Sequence, residues 1–134
     1  MILPHDAIVA VVDGEKLRLF RNRAPEPNIR LVELDVPEID AVNQGSGMRH
    51  RSVAANPDEA RLREDDFAAA VAGFLNRMAL EGRIGALYVV ADPRSLGELR
   101  RHYHDETRSR LAGEMARDLT GHTVEAIEAA LAKG

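Results

Sequence analysis

The chain has 134 residues, a formal net charge of −4 and no cysteine. That length supports one domain with its own core. The absence of cysteine excludes disulfides, thiolate-bound zinc and a thiol nucleophile, and the net acidity argues against a broad nucleic-acid face, DNA included.

The first apolar run, Ala7 to Val12, is β-branched and nearly continuous, as a buried central strand requires. Asp13-Gly14 follows it as a tight-turn signal. Lys16 to Arg21 then alternates, with Leu17 and Leu19 on one side and Lys16, Arg18 and Phe20 on the other. The expectation is a hairpin over 7–21 whose second strand is half exposed. After a proline-bearing loop, Ile29 to Val36 alternates again and predicts a third strand, which Pro37 ends.

Residues 37–56 show no period and read as a long exposed loop. Asn56-Pro57-Asp58-Glu59 carries a cap, a proline at the first helical position and an acid three residues after the cap. The helix it opens is expected to run to about Leu80, with Phe67, Val71, Phe74 and Met78 as its apolar stripe and Gly82 as its carboxyl-terminal cap. The charged stretch before Phe67 reads as a projecting or separate turn.

Ala86 to Ala91 is a second buried strand, and Asp92-Pro93 caps and opens the helix after it. Residues 106–119 fit strand or helix, because Leu111, Gly113, Met115 and Leu119 share a period-two face while helical propensity is also high. Thr123 caps a last helix with Val124, Ile127 and Leu131 on its apolar side. The order predicts a single α/β (mixed α+β) domain over 1–134: one mixed sheet of about five strands, a meander at its start and helices packed on it.

Four stretches together resemble the bacterial host attachment protein family. They are Ile8 to Phe20, Phe67 to Leu75, Leu87 to Arg100, and Glu114 to Thr120 with the short helix behind it. The resemblance implies a fold related to the middle domain of archaeal and eukaryotic peptide-chain release factors. It also favours a strand at 110–118. In release factors the loop before the long helix carries Gly-Gly-Gln, which enters the peptidyl-transferase centre. Here that place holds Gly45-Ser46-Gly47-Met48, then Arg49-His50-Arg51. The glutamine is missing and Ser46 splits the glycines, so the resemblance implies a ribosome- or RNA-facing loop without peptide release.

Gly45, Ser46, Gly47, Met48, Arg49, His50 and Arg51 form the leading candidate binding site, since glycine amides and arginines suit phosphate oxygens. The alternative is a solvated loop. A second basic patch is Arg94, Arg100 and Arg101, with Glu98, Asp105 and Glu106 diluting its field. His102 and His104 are too far apart on a helix to share a metal and lack further ligands. No serine lies in a nucleophile elbow, and phosphate-loop and dinucleotide fingerprints are missing.

The expectation is a non-enzymatic interaction protein with no cofactor and no metal, whose partner is the ribosome, RNA or another protein. The rival is a metal-dependent hydrolase or nuclease using Asp13 and Asp92, which end two central strands. A third reading is a homodimer module built on the sheet edge. Met1 to Asp6 does not read as a signal peptide, and no apolar run reaches the roughly 18 residues that span a bilayer. A cytoplasmic protein without membrane contact is therefore expected.

Overall fold

A computed structural model describes residues 3–39 and 57–134. The chain forms β1 (Ile8–Val12), β2 (Leu17–Asn22), β3 (Leu31–Leu34), α1 (Pro57–Leu80), β4 (Leu87–Ala91), α2 (Pro93–His102), α3 (Asp105–Arg110), β5 (Leu111–Ala116) and α4 (Val124–Lys133). The strands make one sheet in the order β3-β2-β1-β4-β5. β1 pairs antiparallel with β2, and β2 with β3, while β1 and β4, and β4 and β5, run parallel. The expected mixed five-stranded sheet with a meander start is the architecture found. Among the described residues no helix is long and apolar enough to cross a membrane.

Side chains alternate across a strand, so β1 and β4 each feed two cores. Ile8, Ala10, Val12, Val89 and Ala91 face α1 and α2, where Phe67, Val71, Leu75, Met78 and Leu99 meet them. Val9, Val11, Tyr88 and Val90 face the other way, toward Phe20, Leu119, Ile127 and Leu131. Fully burying one such aliphatic side chain contributes about 1.5–3 kcal/mol, which is why both runs carry no polar residue.

Two buried asparagines tie loops to this frame. Asn22 donates to the Leu3 and Pro4 carbonyls at 3.2 and 3.1 Å and accepts from the Ala24 and Arg30 amides at 3.2 and 2.9 Å. Asn76, near the carboxyl end of α1, donates to the His102 carbonyl at 2.9 Å and accepts from the His104 amide and the Thr107 hydroxyl at 3.0 and 2.6 Å. It fixes the break between α2 and α3.

Several boundaries differ from the sequence expectation. α1 is continuous from Pro57, so the charged stretch before Phe67 is its first half and not a separate turn. Gly82 does end it, at φ 77, with the Arg83 amide donating to the Met78 carbonyl. The ambiguous stretch is both helix and strand, with α3 ending at Arg110 and β5 starting at Leu111. A register shift beside Leu87 puts Leu111 with the first core and Met115 with the second, so the shared period-two face does not exist. Phe20 is fully buried and not half exposed, because α4 covers its face.

Candidate functional site at the carboxyl ends of the parallel strands

The segment from residue 43 to 52, with Gly45, Ser46, Gly47, Met48, Arg49, His50 and Arg51, lies outside the described residues. Its flanks do not. Val36, Pro37, Glu38 and Ile39 line a cleft of about 440 Å³ with Glu15, Lys16, Leu17, Arg18 and Phe67. That cleft sits at the β1–β2 turn, at the carboxyl end of β1. Both flanks of the segment, Ile39 and the first half of α1, therefore meet this end of the sheet.

A second cleft, of about 370 Å³, opens beside the same turn and is lined by Asp13, Gly14, Glu15, Glu64, Asp92 and Asp118. Clefts outside the carboxyl ends of parallel strands are the usual ligand positions in α/β sheets. The topology brings Asp13 from β1, Asp92 from β4 and Asp118 from the end of β5 to one place. Gly14 admits Glu64 of α1 over the turn, since a Cβ there would stand 2.6 Å from the Glu64 Cγ.

The carboxylates of this cleft are held by the fold. Asp13 Oδ1 accepts the Glu15 and Lys16 amides at 2.7 and 2.6 Å, closing the hairpin. Its Oδ2 accepts the Thr120 hydroxyl at 2.6 Å. Burial pushes the Asp13 carboxyl up, but the Thr120 hydroxyl, the two amides and the Lys16 charge together hold it below its ordinary value. Asp118 Oδ1 accepts the Thr120 amide at 3.2 Å and lies 3.0 Å from the same hydroxyl. Asp92 Oδ2 caps α2 through the Ser95 amide at 3.1 Å, while its Oδ1 is buried without a protein partner.

Arg18 ties the region together. Its guanidinium grips Glu33 at 2.9 and 3.0 Å, donates to the Thr120 and His122 carbonyls at 3.0 and 2.7 Å, and stacks over Phe20 with 5.1 Å to the ring centroid. The Arg18 hydrogen bond holds the Glu33 carboxyl below its ordinary range against the pull of burial. Nothing in the sequence hints at this anchor, since alternation puts Arg18 with Phe20 on the exposed face of β2.

The second basic patch is made of ion pairs. Arg94 binds Asp65 at 2.9 Å, Arg100 binds Glu114 at 2.8 Å, and Arg101 lies 3.8 Å from Glu98. His102 faces Glu98 at 3.2 Å. Opposite charges beside each arginine weaken the field that a phosphate would meet. Among the described residues no group of three or more His, Asp or Glu side chains is arranged to hold a metal ion.

The sequence matches a known family. Residues 6–131 match bacterial archaeo-eukaryotic release factor family 12. The chain belongs to that family. The match spans the whole sheet and nearly all of α4, so it covers both clefts and the segment between β3 and α1. It carries the release-factor side of the resemblance; the host attachment name is not part of it. No curated protein matches the chain.

Proposed function

We propose that this protein is a non-enzymatic, translation-associated interaction protein that meets the ribosome through residues 43–52. The observation that supports this reading best is the family match over residues 6–131. The segment joins β3 to the long helix α1, the place where release factors carry their ribosome-directed loop. Its glycines and its Arg49 and Arg51 suit contact with RNA phosphates. The missing glutamine removes the group that release factors bring to the peptidyl-transferase centre, so binding without peptide release is the activity proposed. The expected compartment is the cytoplasm.

The rival hydrolase reading has in its favour that Asp13 and Asp92 line one cleft and that Asp92 Oδ1 is buried there without a protein partner. Asp13 has both oxygens in hydrogen bonds of the turn and the Thr120 anchor, and Asp92 is a helix cap. Those are structural tasks; they account for both oxygens of Asp13 and for Oδ2 of Asp92, whose buried Oδ1 has no protein partner.

Co-sedimentation with ribosomes at low and moderate salt tests the proposal. The wild-type chain is expected in the ribosomal pellet, and Arg49→Ala with Arg51→Ala is expected to shift it to the supernatant. A wild-type chain that stays in the supernatant at both salts would overturn the ribosomal reading. Loss of binding at moderate salt alone would mark the contact as electrostatic.

A further inference from the structure

We propose that α4 is a lid, which lifts from one face of the sheet while the opposite face and its two helices, α1 and α2, stay folded. Among the described residues it is the one helix on that face. Its hold there is two fully buried side chains, Ile127 and Leu131, with Val124 and Ala130 partly buried beside them.

The helix lies across the sheet, not along one strand. The Glu128 carboxylate accepts the Leu31 amide of edge strand β3 at 2.7 Å. The end of the helix is met by a side chain from the opposite edge strand, since Met115 Cε of β5 stands 2.8 Å from the Cβ position that Gly134 leaves empty. The central strands β1 and β4 run between these two points.

The root of the helix is fixed separately from its body. Arg18 holds the Thr120 and His122 carbonyls, and Asp13 holds the Thr120 hydroxyl. These bonds stop at residue 122, one before the Thr123 cap. Downstream of that anchor the body is held by its apolar stripe and by the Glu128 bond to β3. The arrangement is a fixed pivot, a short arm and a latch on edge strand β3. A helix of ten residues is marginal by itself, so its closed state depends on this seat. Openings of such weakly held units cost less than global unfolding.

The chain has no cysteine, so a single introduced thiol reports on one face. Val89 and Val90 are neighbours on β4, both fully buried, and they face opposite cores. Val89→Cys and Val90→Cys are made separately and labelled with a thiol reagent in native buffer. Each rate is divided by that variant's global unfolding constant from urea melts, which also shows that each variant folds. The Val90→Cys thiol is expected to react at least ten-fold faster than the Val89→Cys thiol. Adding Glu128→Ala is expected to raise the Val90→Cys rate several-fold and to leave the Val89→Cys rate unchanged. Equal corrected rates at the two positions, or a faster Val89→Cys, would overturn the lid. An unchanged Val90→Cys rate in Glu128→Ala would overturn the latch.

Discussion

The two faces of the sheet are built from the same strands but covered in different ways. The first face is covered by α1 and α2, which flank β4 in sequence, with α3 packed on α1. The second face is covered by α4 alone among the described helices, and that helix closes on strands from the start of the chain as well as on β4. Cover that is near in sequence is redundant, because two helices share it. Cover that is distant depends on a few residues, and Arg18 and Glu128 connect it to the sheet. The difference teaches that one strand, β4, can be equally buried on both sides and unequally secured.

Core truncation gives the largest test of that contrast. Leu75→Ala, between α1 and the sheet, is expected to cost about 4 kcal/mol, because the helices around it cannot close the hole. Leu131→Ala on α4 is expected near the low end, about 2 kcal/mol, because a single helix can settle inward. Urea melts in the reverse order would break the comparison. The buried asparagines come next. Asn76→Ala and Asn22→Ala each strand several backbone groups and are expected to lower stability by about 3 kcal/mol. Calorimetry showing either substitution neutral would remove it as a tie.

Gly113→Ala is expected to cost about 2 kcal/mol by overpacking, because its Cβ would stand 2.6 Å from the Tyr88 ring on the second face. A thermal melt unchanged from wild type would mean that β5 yields outward without loss. Thr120→Val is expected to cost about 1 kcal/mol at neutral pH by removing the hydroxyl bonded to Asp13. The folded Asp13 carboxyl lies below its unfolded value, so the unfolded chain takes the proton first as pH falls. The stabilisation is therefore complete above about pH 4 and is lost on further acidification. Stability measured from pH 7 to pH 3 should fall more gently in Thr120→Val than in wild type. The smallest effect belongs to Arg94→Ala, whose exposed pair with Asp65 is expected to contribute under about 1 kcal/mol.

Much of this fold is written in local signals. The aliphatic runs of β1 and β4, the Asp13-Gly14 turn, the Asp92-Pro93 start of α2 and the Thr123 cap of α4 each act within a few residues, so sequence alone reveals them. The parts that were not legible are long-range. Alternation around Phe20 predicts a solvated face, because nothing near it announces a helix over it. The start of α3 depends on Asn76, which lies some thirty residues away and holds the turn between α2 and α3. The acidic cleft forms only when three strand ends and α1 come together. The basic patch was legible as charge, but its neutralising partners Asp65 and Glu114 come from other elements.

The bond from Glu128 to the Leu31 amide sets a timetable for synthesis. The two residues are 97 apart in sequence, so a ribosome adding about 5–20 residues per second makes the edge strand roughly 5–20 s before the carboxylate that covers it. Through that interval the nascent chain presents an open strand edge beside an uncovered apolar face, the combination that invites pairing with another chain. The first face can close as soon as α2 emerges. The second has to wait, and crowding by neighbouring nascent chains on one message would act on that half of the molecule.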